Sequence, residues 1–247
     1  MKLGADVVAG EDVPYGKDPY QRLLIYRAAG PNNRVLAFLH GGGWTNGYKE
    51  WMAFMAPALT GAGITFVSIG YRLAPGHVFP LGLEDCADGL MATRALTECA
   101  PLFVGGHSAG GHYASLLAVR DAWWRRRSLP ANPLRGCLPI SGAYNFGPGS
   151  GLSSRPRFLG TGDAERAASP MIDITDRTPF LISYGEHDFP HLIIQANMMH
   201  AALQAAGTSV EVLVLPGCDH FESSYVAGQA AGIWPTHASS FMTQLSE

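Results

Sequence analysis

The stretch Phe103–Ser115, FVGGHSAGGHYAS, decides how the rest of the chain is read. It opens as a short apolar run, ends as a helical pattern, and holds Ser108 among Gly105, Gly106, Gly110 and Gly111. An ordinary link between strand and helix needs at most one or two residues without a Cβ. So many glycines imply a turn in which the flanking backbones crowd each other, or a ligand that passes close to the main chain. Gly106-His107-Ser108-Ala109-Gly110 has the form G-x-S-x-G. Between a strand and a helix, that pattern lifts the serine hydroxyl to the carboxyl edge of a sheet and aims helix N–H groups at it. A phosphate loop does not fit, because there is no G-K-[ST] and G-x-G-x-x-G does not match here.

Outward from this turn, short apolar runs alternate with helical patterns. Strands are expected at Gln21–Ala28, Arg34–Gly42, Ile64–Tyr71, and in the runs PLFVGG, GCLPISG, PFLISYG and VEVLVLPG. Helices are expected at Trp51–Gly63, with Pro57 as a kink, and at Pro80–Thr97, Ser108–Asp121, Pro190–Ala206 and Ile233–Leu245. Several strands are apolar on both faces, as parallel strands covered by helices above and below must be. The pattern predicts one α/β domain over residues 1–247, a three-layer sandwich around a mostly parallel sheet. Residues 144–177, rich in Gly, Ser, Pro and Arg, are long for a loop and are expected near a binding surface.

Composition narrows the function. The 247 residues are 47% hydrophobic and 15% charged, with a net charge of −3. No basic stripe offers itself to nucleic acid, and Trp123–Arg127, WWRRR, reads as a solvated helix end. Cys86, Cys99, Cys137 and Cys218 form no CxxC pair, so free thiols in a reducing cytoplasm are expected. The start, MKLGADVVAGEDVPYG, lacks the pattern of a signal peptide, and no run approaches the ~18 apolar residues of a membrane span. No HExxH metal motif occurs, so no metal is expected.

A serine hydroxyl is a poor nucleophile alone. It needs a base, a carboxylate to orient the base, and donors for an oxyanion. The run His40–Trp44, HGGGW, follows a strand, and its glycines let backbone N–H groups face a substrate. Gly42, Gly43 and the N–H of Ala109 are the candidate oxyanion hole. Among nine histidines, His220 lies just after VEVLVLPG, in a strand-end loop, and is the candidate base, with His237 second. Asp188 follows the preceding strand and is the candidate orienter, with Glu186 second. Asp219 adjoins His220, and neighbouring side chains point apart. Trp44, Tyr144, Phe189 and Phe221 are candidate walls of a substrate pocket, suited to a flat or aromatic group.

HGGGW, YRLAPGHVFP at Tyr71–Pro80, LEDC at Leu83–Cys86, GHSAGG at Gly106–Gly111, GEHD at Gly185–Asp188 and DHF at Asp219–Phe221 together resemble the hormone-sensitive-lipase-like α/β-hydrolases. The order Ser108, Asp188, His220 is the order of that fold. The resemblance implies a carboxylesterase for small acyl or aryl esters, without a cofactor, using Ser108, Asp188 and His220 as triad. DHFES and the short N-terminus are similar to arylformamidases, which hydrolyse N-formylkynurenine, so a formamide substrate is the alternative. A hydrolase-fold protein that only binds ligands is a remoter one. Two departures stand out: Gly76 replaces the family's usual Glu, and the N-terminal cap has no counterpart, which predicts an open pocket. The expected partner is a small ester or formamide, with no nucleic acid and no membrane; a homodimer stays open.

Overall fold

The computed structural model describes residues 10–30 and 34–246; the first nine residues of the N-terminal stretch, and Glu247, lie outside them. Eight strands alternate with helices: β1 (Glu11–Pro14), β2 (Arg22–Tyr26), β3 (Arg34–Leu39), α1 (Ala56–Gly61), β4 (Ile64–Ile69), α2 (Leu81–Leu96), β5 (Leu102–His107), α3 (Ala109–Val119), α4 (Ala122–Arg125), β6 (Leu134–Ile140), α5 (Glu165–Ala168), β7 (Phe180–Gly185), α6 (Pro190–Ala205), β8 (Val210–Leu215), α7 (Glu222–Tyr225) and α8 (Ile233–Gln244). They form one sheet in the order β1-β2-β4-β3-β5-β6-β7-β8. β1 and β2 run antiparallel to their neighbours, and β3 to β8 are parallel throughout.

The strands that read as apolar on both faces are buried on both. In β3 all six residues are buried. Val35, Ala37 and Leu39 face a core built with Leu83, Leu90, Leu116 and Met199, which puts α2, α3 and α6 on that side. Leu36 and Phe38 face Leu59, Trp234 and Phe241, which puts α1 and α8 on the other. The central helix α3 is buried at all of its 11 positions. This is the predicted three-layer sandwich.

The strand order places the site. The chain leaves β3 for β4 on one side of it, then returns to lay β5 on the other. The loops after β3 and β5 therefore diverge, and open α/β sheets leave a crevice at the carboxyl edge where strand order reverses. The loop after β3 is HGGGW, and the loop after β5 carries Ser108.

Two local readings differ from expectation. Pro57 does not kink a helix; it sits in the first turn of α1, where its fixed φ and missing N–H suit a helix start, and Lys49–Met55 forms a separate 3-10 turn before it. The edge strand β1 was not visible as a strand, since EDVP has almost no apolar signal. The WWRRR run is neutralised locally: Arg125 pairs with Asp121, Arg126 with Glu84, and Arg127 with Glu84 and Asp88.

The turn Tyr71–Pro80 is tied to α2 through Asp85. This buried carboxylate accepts from the Arg72 backbone N–H (3.0 Å), Arg72 Nε (2.7 Å), Arg72 Nη2 (2.7 Å) and Gln21 Nε2 (2.8 Å). Removing the acid strands a guanidinium that is three-quarters covered. Asp85→Ala is expected to lower unfolding free energy by about 3 kcal/mol, read as a fall in urea midpoint at constant m-value.

Candidate functional site

Ser108 sits between β5 and α3 with φ 54° and ψ −116°, a conformation that L-residues rarely adopt. Holding it costs about 1–3 kcal/mol, which the surrounding structure must supply. The glycines around it are sterically required. A Cβ on Gly106 would lie 2.3 Å from the Gly110 carbonyl carbon, and one on Gly110 would lie 2.0 Å from the Leu39 carbonyl oxygen. The Ser108 N–H donates to the Ile140 carbonyl (2.9 Å), which pins the turn to β6.

From this turn a continuous hydrogen-bonded chain runs to a buried acid. Ser108 Oγ lies 3.1 Å from His220 Nε2. His220 Nδ1 lies 2.8 Å from Asp188 Oδ1. Because the carboxylate can only accept, Nδ1 carries the hydrogen and Nε2 presents its lone pair to the Ser108 hydroxyl. Asp188 is buried, and its Oδ1 also accepts the Phe189 N–H (2.7 Å). Burial pushes its carboxyl upward, but the His220 hydrogen bond, the nearby Ser141 hydroxyl and the Phe189 N–H outweigh this and hold it below the ordinary carboxylate value. Oδ2 is buried without a hydrogen-bond partner, although the Ser141 hydroxyl faces the carboxylate. The two second choices lie elsewhere. Glu186 points outward and accepts the Gly217 N–H (2.8 Å). His237 is exposed and bonds its own helix at the Ile233 carbonyl (2.9 Å).

The HGGGW loop faces Ser108 across a cleft of about 930 Å³, lined by Gly41, Gly42, Gly43, Ser108, His220, Phe189 and Phe221 among others. Gly42, Gly43 and Trp44 follow one another at φ 115°, 59° and 62°. Among the described residues, the N–H groups of Gly42, Gly43 and Ala109 donate to no protein acceptor. His40 braces this loop: it stacks on Tyr71 at 4.2 Å and its Nδ1–H donates to the Gly41 carbonyl (2.7 Å). Burial lowers its pKa to about 4, so it is neutral.

Two of the four expected pocket walls are in the core instead. Trp44 turns inward, where its indole N–H donates to His112 Nδ1 (3.0 Å) and its ring stacks on Phe158 at 4.2 Å. Tyr144 is fully buried, and neither residue lines the cleft. The cause is Phe146 and Phe158, which pack on Trp44 from the 144–177 segment and give its ring an apolar partner away from solvent. Phe189 and Phe221 do line the cleft. The hollow of about 830 Å³ beside residues 146–155 is separate and contains none of the Ser108, His220 and Asp188 side chains.

Three residues near the site were not assigned a role from sequence. His107 is buried, and burial lowers its pKa to about 4. Its Nε2–H donates to the His220 carbonyl (2.8 Å), tying the loop after β8 to the turn after β5. The same carbonyl accepts the Ser223 hydroxyl (2.7 Å), which lies 2.8 Å from the Ser141 hydroxyl. His107 had a signal, its place inside the serine turn; Ser141 and Ser223 had none.

The sequence pattern of the alpha/beta hydrolase fold matches residues 36–158, a span that holds both glycine-rich turns. The sheet order, the turn at Ser108 and that match agree. The chain is an α/β-hydrolase-fold protein. It is similar to kynurenine formamidase of Danio rerio, 25% identical over 228 residues, covering 85% of this chain and 74% of that one. It is also similar to the esterase LipC of Mycobacterium tuberculosis, 30% identical over 237 residues, covering 84% of this chain and 58% of that one. Among solved structures, a hormone-sensitive lipase from a metagenome library superposes with TM-score 0.77 at 20% identity, covering 98% of this chain and 86% of that one. These are the relatives that the motifs suggested. Among the described residues of this α/β-hydrolase, no helix is long and apolar enough to cross a membrane, and no group of three His, Cys, Asp or Glu is placed to hold a metal ion. All four cysteines are free thiols.

The two loop glycines separate by geometry. A Cβ on Gly42 would lie 2.1 Å from the Asn46 carbonyl oxygen, whereas one on Gly43 meets nothing within 4 Å. Gly43→Ala is expected to lose only about 1 kcal/mol for its left-handed φ. Gly42→Ala is expected to lose at least about 3 kcal/mol, because it adds a backbone clash to the same strain. Thermal melts of the two variants test the difference.

Proposed function

We propose that this protein is a serine hydrolase that cleaves small carboxylic acyl or aryl esters through an acyl-enzyme. The reading rests on one observation: Ser108, His220 and Asp188, taken from three separate strand ends, form a single hydrogen-bonded chain with spacings of 3.1 and 2.8 Å. In the first step Ser108 Oγ attacks the carbonyl carbon as His220 Nε2 takes the hydroxyl proton. The oxyanion is held by the N–H groups of Gly42, Gly43 and Ala109. The imidazolium is stabilised by Asp188, whose lowered pKa keeps it ionised at neutral pH. As the carbonyl reforms, the bond to the leaving group breaks, and that group takes the proton from Nε2. Water, deprotonated by His220, then releases the acid and restores the serine.

A formamide substrate is the second reading, favoured by the similarity to the Danio rerio kynurenine formamidase over 85% of this chain. Both readings use the same residues and differ in the bond cleaved. A panel of p-nitrophenyl acetate, p-nitrophenyl octanoate and N-formylkynurenine separates them. Ester hydrolysis is expected to dominate, and dominant turnover of the formamide would overturn the first choice.

Ser108→Ala is expected to fold with an unchanged melting temperature and to hydrolyse p-nitrophenyl acetate at the background rate. Asp188→Asn is expected to lose about 10⁴-fold in kcat, because the amide favours the wrong imidazole tautomer. His107 acts through another group: it fixes the main chain that carries His220. Phenylalanine fills its space but has no N–H donor. His107→Phe is expected to lower kcat about tenfold or more with little change in KM, the fold expected when one catalytic hydrogen bond is misplaced. His107→Gln, which restores a donor at similar reach, is expected to recover most of the loss.

A further inference from the structure

Two phenylalanines stand in water beside the proposed base. Phe189 is 46% exposed and Phe221 is 59% exposed, although both belong to turns next to the buried acid and His220. Their rings contact the imidazole. The Phe189 centroid lies 4.7 Å from that of His220 at 31°, and the Phe221 centroid lies 5.4 Å away at 82°. One ring is thus closer to parallel with the imidazole and the other nearly perpendicular, so both stacked and edge contacts are available to a flat group beside it. Further along the cleft stand Trp51 and Tyr225, 41% and 60% exposed. Apolar rings left uncovered around a concave site mark a surface that a ligand covers.

Chemistry decides which part of the substrate meets these rings. His220 Nε2 takes the serine proton and must then hand it to the atom that departs. The leaving group therefore lies beside His220, whereas the carbonyl oxygen lies at the glycine loop. Rings in contact with His220 are placed for the leaving group rather than the acyl chain. Among the described residues, the cleft is lined by no Asp, Glu, Lys or Arg. No lysine or arginine there pairs with an anionic leaving group, and burying such a charge unpaired is costly.

We propose that Phe189 and Phe221 form the leaving-group subsite, and that it selects flat aromatic leaving groups without an anionic substituent, simple phenols above all. This deepens the serine-hydrolase reading and rests on it. The acylation step balances as before. The Ser108 oxygen–acyl bond forms, the acyl–oxygen bond to the arene breaks, and the phenol leaves with the proton that Ser108 gave up.

The test uses the full chain and two acetates whose alcohols are of similar acidity, phenyl acetate and hexafluoroisopropyl acetate, so that ring recognition is separated from leaving-group reactivity. The ratio of kcat/KM, aryl to fluoroalkyl, is expected to exceed about tenfold. Phe189→Leu and Phe221→Leu keep apolar area but remove a ring; each is expected to lower that ratio several-fold, and Phe→Tyr at either position is expected to restore it. Phenyl acetate carrying a para carboxylate is expected to react at least about tenfold less well than phenyl acetate itself. The inference is overturned by equal kcat/KM for the two acetates, by a ratio unmoved in both leucine variants, or by rings whose loss shifts the acyl-length profile (phenyl acetate against phenyl butyrate and hexanoate) instead. Hydrolysis of the fluoroalkyl ester that is lost in Ser108→Ala, without any aryl preference, would sink this inference alone. No hydrolysis of any ester would sink the reading beneath it.

Discussion

The structure depends on one steric contact, the crossing of the serine turn over the end of β3. Gly110 lies so close to the Leu39 carbonyl that a methyl group there would approach it to 2.0 Å, and Gly106 is equally crowded by Gly110. Only with both side chains absent can β5 reverse so sharply into α3. That reversal brings the loops after β3 and β5 face to face at the reversal of strand order. It also forces Ser108 into its strained φ of 54°. The strain is held by a helix buried on every side and by the central strands β3 and β5, buried on both faces. A looser turn would fold more easily but would leave the hydroxyl too far from either neighbour to do chemistry.

Given that turn, the remaining groups fall into place through strand ends. β7 and β8 are adjacent and parallel, with Gly185 opposite Leu215, so their following loops start side by side. The backbone keeps them together: His187 N–H donates to the Cys218 carbonyl at 2.9 Å, and a Cβ on Gly185 would lie 2.3 Å from that same oxygen. Asp188 and His220 are therefore brought into contact by main-chain geometry before any side-chain bond forms. His107 then couples this pair of loops back to the serine turn. The site is over-determined, which is what holding a buried, partly unpaired carboxylate requires.

The parts legible in the sequence were those fixed by short-range rules. Glycine spacing located the turn at Ser108, and apolar runs on both faces located the parallel strands. Loop position after β7 and β8 singled out Asp188 over Glu186 and His220 over His237. The parts not legible depend on three-dimensional neighbours. Trp44 carries the same aromatic signal as Phe221, yet Phe146 and Phe158 draw it into the core while Phe221 stays in the cleft. Ser141 and Ser223 are ordinary serines until the fold sets their hydroxyls 2.8 Å apart beneath His220. β1 was missed because pairing along β2, rather than its own composition, makes it a strand.

The central claim is that the hydroxyl of Ser108 is activated by His220. Treatment with a fluorophosphonate, followed by mass spectrometry of the digested protein, tests it most directly, because the probe bonds only to a serine with a working base. The account predicts one adduct, on the peptide containing Ser108, and none in His220→Ala. An unmodified Ser108 in the folded wild-type protein, or equal labelling in His220→Ala, would contradict it.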